Sequence, residues 1–362
     1  MAPNPPSYRH LAYKQPVRHR WANTSLLLLV LAEVATGLFG MASGASNRAF
    51  LNDLHAIFSF GIVAILGWKT ALAIRSLKRP AGKRPRYLSL ILAALLLATL
   101  GLGFWWSNGV FAAISGTSLL NIHIWLGLAT APIIVYHSWA YTARFRIGYS
   151  ADRRAALRLM TALVAGAAAW GITEGIGNAL DTPASRRRFT GSHERASFKG
   201  NVFPTTSWLN DDPDHIDPDR WELQVAGQVS TPLMLSLAEL REGGRFEVVE
   251  ATETLDCTGG WFSTQIWTGV RVGDILDVAG VEPDTRSISF VSRTGFSRRM
   301  PYNDARDYLL ATHVGHEPIS HRHGAPLRLV APGRRGFDWV KWLTAINANS
   351  SPHWLQWPFP VE

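Results

Sequence analysis

The chain has 362 residues, of which 47 % are hydrophobic and only 17 % charged, which excludes an ordinary, wholly soluble protein and suggests two or three domains. The net charge of +9 would suit a nucleic-acid binder, but much of the basic charge lies in short loops between apolar runs, the membrane pattern. No aromatic–basic nucleic-acid motif accompanies it, so no nucleic-acid partner is expected.

Residues 1–20 are polar and basic, with Arg9, Lys14, Arg18 and Arg20. No cleavable signal peptide is evident, because the first apolar run starts late and is long. Five runs reach spanning length, at Trp21–Met41, Leu54–Ser76, Tyr87–Trp106, Leu119–Thr142 and Leu157–Ala179, the last rich in Ala and Gly. The N-terminus and the loops 75–86 and 144–158 are basic, whereas the loops near 42–53 and 107–118 carry almost no Lys or Arg. The positive-inside rule therefore predicts a multi-pass membrane protein with a cytoplasmic N-terminus, and five spans carry everything after about residue 180 to the outer side. Before the fifth span, Ser150-Ala151-Asp152-Arg153-Arg154 resembles an internal twin-arginine export signal; the plainer reading is a positive-inside loop.

Four histidines lie in or beside these spans: His19, His55, His123 and His137. Histidine inside a membrane is costly and marks function by default, although a ring bonded to a neighbouring helix carbonyl is the bland alternative. His55 and His123 start their spans at the outer face, while His19 and His137 lie toward the cytoplasm. His123 and His137 are 137 − 123 = 14 residues apart, about 21 Å of helix rise and within about 40° of one face. The arrangement resembles membrane b-type cytochromes with four-helix haem cores. It implies one or two haem b groups, with His55–His123 as the outer axial pair and His19–His137 as the inner one. Glu33 reads as a satisfied structural carboxyl or as a proton path at a quinone site; Glu174 is a further intramembrane acid, and Lys69 lies in the second span.

The polar, Pro-containing stretch 181–200 is expected to be a linker between a membrane cytochrome domain at 1–180 and a soluble domain at 201–362. Its triplet Arg186-Arg187-Arg188 is expected to be a solvated charge run. From Asn201 the chain shows many short strands broken by Gly and Pro, with short helices at 236–242 and 272–279, an α+β pattern. The lone cysteine, Cys257, ends a β-rich run and precedes Thr258-Gly259-Gly260-Trp261. It can be a small buried hydrophobe, a nucleophile or a soft metal ligand.

Cys257-Thr258-Gly259-Gly260-Trp261, with Trp267-Thr268-Gly269-Val270 and Asp274-Ile275-Leu276, resembles the core of the sulfite oxidase-type molybdopterin domain. So does the block from His323-Gly324-Ala325-Pro326-Leu327-Arg328 through Pro332-Gly333 and Gly336 to Trp339-Val340-Lys341-Trp342. The resemblance implies an α+β molybdopterin-dependent oxidoreductase domain outside an all-α membrane bundle. It makes Cys257 the molybdenum ligand and catalytic residue, Arg328 the holder of the pterin phosphate, and His323 a polar cofactor contact. Trp339, Val340 and Lys341 form a phosphate-proximal turn in that pattern; Asn201, Phe203 and Ser292 match more weakly. A metal pair at His321 and His323 is the rival reading of that block. The family's usual extra dimerisation domain finds no room in the 362 − 342 = 20 residues after Trp342, so a monomer, or a dimer made by the membrane part, is expected.

Sulfite-oxidising members carry arginines just after the cysteine, where this chain has Thr258, Gly259 and Gly260; Arg293, Arg298 and Arg299 are candidates to replace them. The expected function is oxygen-atom transfer, either reduction of a small S- or N-oxide or sulfite-like oxidation. Electrons would pass through b haems to or from quinone or another membrane carrier in the lipid bilayer. The alternative is a transmembrane electron conduit whose outer domain docks partners without turnover.

Overall fold

The computed structural model describes residues 20–77, 83–114, 117–142, 153–206 and 211–357. His19 lies outside the described residues, so of the inner histidine pair only His137 is described. Long apolar runs form helices. They are α1 (Arg20–Ala42), α2 (Phe50–Leu77), α3 (Lys83–Ser107), α4 (Leu119–Thr142) and α5 (Arg153–Ala179), and α4 tolerates Pro132 in its interior. A short hairpin of β1 (Ala113–Ile114) and β2 (Thr117–Ser118) links α3 to α4.

All five helices are long and apolar enough to cross a membrane. Leu26, Leu29 and Val30 of α1, Ile62, Ile65 and Leu66 of α2 and Leu92 and Leu96 of α3 make the inner contacts. The outer surface stays apolar: Trp125, Val164 and Ile172 are each more than 60 % exposed. A soluble protein buries such a surface; a lipid-facing one does not. α5 begins at Arg153, four residues before the predicted start, so Arg153-Arg154 forms its first turn instead of preceding it.

The second half contains β3 (His193–Glu194), β4 (Glu222–Gly227), β5 (Leu233–Ser236), α6 (Leu237–Arg241), β6 (Val248–Cys257), β7 (Trp261–Arg271) and α7 (Val272–Ala279). It continues through β8 (Ser287–Ser292), β9 (Ser297–Pro301), α8 (Tyr302–Arg306), β10 (Leu309–Val314), β11 (Glu317–Pro318), β12 (Arg328–Val330) and β13 (Leu343–Asn349). One sheet runs β11-β10-β7-β3, with β12 on β10 and β6 on β7; the other runs β5-β4-β13-β8-β9. α6 starts at a capping box between Ser236 and Glu239. α7 buries Val272, Ile275, Leu276 and Ala279, an i, i+3, i+4, i+7 stripe, and ends at left-handed Gly280. Trp267, Leu310, Leu329 and Trp339 pack in the shared core.

Residues 181–200 are not a free linker. β3 pairs in parallel with the start of β7, filling the edge that β10 leaves uncovered. Backbone bonds run from His193, Arg195 and Phe198 to the carbonyls of Gly260, Phe262 and Thr264. An exposed strand edge with unpaired amides is a liability, and this polar segment satisfies it. Nor is the arginine triplet a solvated run. Only Arg186 is exposed; Arg187 pairs with Glu174, and Arg188 with Asp256.

Candidate active site

β6 and β7 form one long hairpin whose register runs from Val248↔Val270 to Cys257↔Trp261. Cys257 is therefore the last residue before the turn Thr258–Gly260, which Gly260 completes at φ +82°. The Gly259 amide donates to Cys257 Sγ at 3.3 Å, and the Thr206 hydroxyl lies 3.5 Å from it. Trp261 Nε1 in turn donates to Thr206 at 3.3 Å. The sulfur faces a cleft lined by Phe203, Trp261, Trp339 and three cations, Arg322, Arg328 and Lys341.

Burial acts on each charged group of this cleft. Arg328 is 5 % exposed, its guanidinium lies over the Trp267 ring, and Nη1 donates to the His323 carbonyl at 2.7 Å. Burial pushes it down to about 10, which still leaves it a cation at neutral pH. Lys341 falls to about 8, through burial first and Arg328 second. His323 Nε2 donates to the Phe203 carbonyl at 2.8 Å, so Nδ1 accepts from the Ser320 hydroxyl at 2.7 Å. Burial drives its pKa to about 4, and the ring is neutral with both nitrogens used.

The sequence candidates separate on this geometry. Cys257, Phe203, His323, Arg328, Trp339 and Lys341 converge on the cleft. Asn201 does not line it: its carbonyl oxygen accepts from the Ser320 amide and its NH₂ donates to Pro318 O, holding the loop that carries His323. Ser292 closes the turn at the end of β8 by accepting from Thr294, away from the cysteine. Val340 is buried in the core, where its carbonyl accepts from the Leu329 amide. His321 and His323 make no metal pair, because each Nε2 bonds a different carbonyl, Pro213 for His321. Arg298 is locked on Asp338, and Arg299 on Ser289 and Ser351, so neither supplies an anion pocket.

Sequence reasoning missed four groups. Arg322 sits between two histidines that drew attention away from it, and Thr206 touches the sulfur from a distant segment. Asp256, 2 % exposed, accepts from Arg335 Nη1 at 2.6 Å, while Arg335 Nη2 donates to the Cys257 carbonyl at 3.0 Å. The signal for Arg335 was its place inside the second motif block.

The cleft fits an anionic, sulfur-coordinated group. Arg328 Nε and Trp339 Nε1 are buried polar atoms that lack a partner among the described residues, which is costly unless something else accepts from them. Three cations converge opposite one thiol, a donor set for a phosphate-bearing cofactor and a soft metal.

A second arrangement lies in the bundle. The rings of His55 and His123 meet edge-on, with centroids 6.1 Å apart and planes at 83°. His55 Nδ1 is 2.6 Å from Glu33 Oε2 and 3.1 Å from Thr36, and Ser59 donates to Glu33 Oε1. His123 Nδ1 donates to the Thr99 carbonyl at 2.8 Å. With each Nδ1 engaged, each ring has Nε2 left for a metal, the usual outer-shell logic of ligating histidines. Gly37 and Gly103 admit the rings: a Cβ there would stand 3.2 and 2.9 Å from the Cε1 atoms of His55 and His123. His137 stands apart from this pair, further along α4 and near Lys69.

Residues 210–357 match the family described as oxidoreductase molybdopterin binding domain. The uncharacterized oxidoreductase YuiH of Bacillus subtilis is 31 % identical over 176 residues, covering 46 % of this chain and 87 % of that protein. Mitochondrial sulfite oxidase of Drosophila melanogaster is 30 % identical over 213 residues, 49 % of this chain and 37 % of that one. The protein-methionine-sulfoxide reductase catalytic subunit MsrP of Xanthomonas campestris is 27 % identical over 192 residues, 46 % of this chain and 59 % of that one. The chain thus spans most of the Bacillus protein but less than two thirds of the other two.

Proposed function

The chain belongs to the molybdopterin-binding oxidoreductase family, and on that premise we propose that it is a membrane-anchored enzyme reducing a small S- or N-oxide with electrons delivered through b-type haem. One observation carries the reading: a thiol in a cationic cleft sits on a loop that touches the bundle holding the His55–His123 pair. In this scheme residues 1–180 carry haem, 201–362 carry molybdenum, and 181–200 join them.

Cys257 is the soft protein ligand, and the molybdenum centre, when bound, supplies oxygen-atom transfer. Arg328, Lys341 and Arg322 hold the cofactor's phosphate, with Arg328 Nε and Trp339 Nε1 as its waiting donors. The neutral His323 braces Phe203 against the cleft instead of donating to the cofactor. His55 and His123 would hold one haem, and His137 is a ligand candidate for a second.

Reduction of a neutral oxide is favoured over sulfite oxidation by what stands beside the cysteine. Thr258 and the rings of Trp261, Phe296 and Phe337 line the cleft there, and Arg298 and Arg299 are engaged elsewhere. The test is molybdenum and haem quantification on protein purified from membranes, then addition of methionine sulfoxide, trimethylamine N-oxide or sulfite. One molybdenum per chain, with reduced haem reoxidised by an oxide, is expected. Haem reduction by sulfite would reverse the direction, and absence of molybdenum would leave an electron conduit without turnover.

A further inference from the structure

The segment leaving α5 is gripped from two sides. On the bundle side, Arg187 pairs with Glu174 of α5 and donates to the Ser107 carbonyl at the end of α3 at 2.9 Å. Asn52 of α2 donates to the Phe189 carbonyl, and His193 Nε2 donates to the Trp106 carbonyl at 3.1 Å. On the catalytic side, Arg188 Nε lies 2.9 Å from Asp256, and the Thr190 and Ser192 hydroxyls donate to the same carboxylate at 2.7 and 2.8 Å. The His193 amide donates to the Gly260 carbonyl at 2.9 Å.

Asp256 and Gly260 are the two ends of the Cys257 loop. Asp256 is buried and would be costly without the Arg188 ion pair and its three hydrogen-bond donors, the third being Arg335, which also holds the Cys257 carbonyl. At the other end, Gly260 is pressed on the bundle: a Cβ there would stand 2.5 Å from Trp106 and 2.6 Å from Leu120. Trp106 is 106 − 103 = 3 residues from Gly103, and Leu120 is 123 − 120 = 3 residues from His123. Each contact therefore lies about one helical turn from the histidine site.

We propose that residues 187–193 form a coupling strap and that Asp256 is the positioning residue anchoring it. Together they hold the Cys257 loop in register on the ends of α3 and α4, so that the thiol site and the histidine site move as one unit. The coupling stands on these contacts; its use for electron exchange rests on the haem reading above.

The test uses full-length protein in lipid nanodiscs, comparing wild type with Asp256→Asn and Arg188→Gln. Hydrogen exchange is followed in peptides covering 104–107 and 257–261, alongside molybdenum content and the Mo(V) electron paramagnetic resonance signal. Both variants should retain molybdenum, show exchange accelerated about tenfold in both peptides together, and shift the Mo(V) g-values. Acceleration on only one side of the contact, or wild-type exchange and g-values, would overturn the strap. Should Asp256→Asn fail to accumulate, Arg188→Gln decides alone, since it leaves Asp256 paired with Arg335. Wild type found without haem would sink the haem reading, while the paired exchange pattern would still judge the coupling.

Discussion

At Cys257 the protein supplies a polarised sulfur on a pinned loop, with a backbone amide from Gly259 and the Thr206 hydroxyl beside it. Cys257→Ser keeps the size and the neighbours but replaces a soft ligand with a hard one. The variant should fold, with stability changed by about 1 kcal/mol or less, and lose turnover entirely; full activity with bound molybdenum would remove Cys257 from the chemistry. His323 makes a pH prediction. Burial sets it near 4 in the folded chain against 6.5 when free, so between these values the unfolded state binds a proton that the folded state refuses. Stability contributed above pH 6.5 is lost as pH falls toward 4, by about 3 kcal/mol in all. Urea unfolding across that window should show a steeper pH slope for wild type than for His323→Gln, and equal slopes would contradict it. Cys257, Arg328 and Lys341 were legible as cleft residues because their motifs are contiguous. Asn201, Ser292 and Val340 do not line the cleft, and spacing along the chain does not say which face of a strand or turn a side chain occupies.

Among the elements, α5 explains why its run is so rich in Ala and Gly. Its Gly166 lies against the Ile57 carbonyl of α2, and Ala162 lies beside Gly61, so small residues let the two backbones approach. A Cβ at Gly166 would overlap that carbonyl. Gly166→Val should therefore cost about 1–3 kcal/mol in detergent unfolding. On the proposed haem reading it should also lower b-haem content, because Ile57 is two residues from His55; a variant as stable as wild type would show that the helices do not meet there. The strand and helix periodicities of the second half are readable in the amino-acid order alone, as α7 and the β6–β7 hairpin illustrate. The pairing of segment 181–200 is not, since its partners lie about 65 residues away on β7 and its polar composition is that of a loop.

For the whole molecule, the proposed membrane anchoring raises the question of which side carries the catalytic half. Basic loops and five spans predict the outer side, reached after the cofactor is inserted. Arg153 and Arg154 open α5, the last span before that half. The double substitution Arg153→Lys with Arg154→Lys keeps both charges. It should leave α1–α4 inserted but strand residues 181–362 on the cytoplasmic side, as read by protease access from each face. An outer domain in that variant would mean that positive charge alone orients α5. A reporter fused after Glu362 provides the parallel check and should be active only in its periplasmic form.

Apolar runs of spanning length, the lone cysteine and two motif blocks were enough to divide this chain into a helical half and a molybdopterin-binding half. Such features are local, and hydrophobic length and motif chemistry do not depend on what lies across the fold. Tertiary structure decided the rest. It brought His55 to His123, seated the Gly260 turn on Trp106, and turned three apparent surface arginines into one exposed ion pair and one contact to each half. Those outcomes depend on long-range burial, where a charge is tolerated only beside its partner, and no local pattern names a partner 68 residues away, as Asp256 is from Arg188.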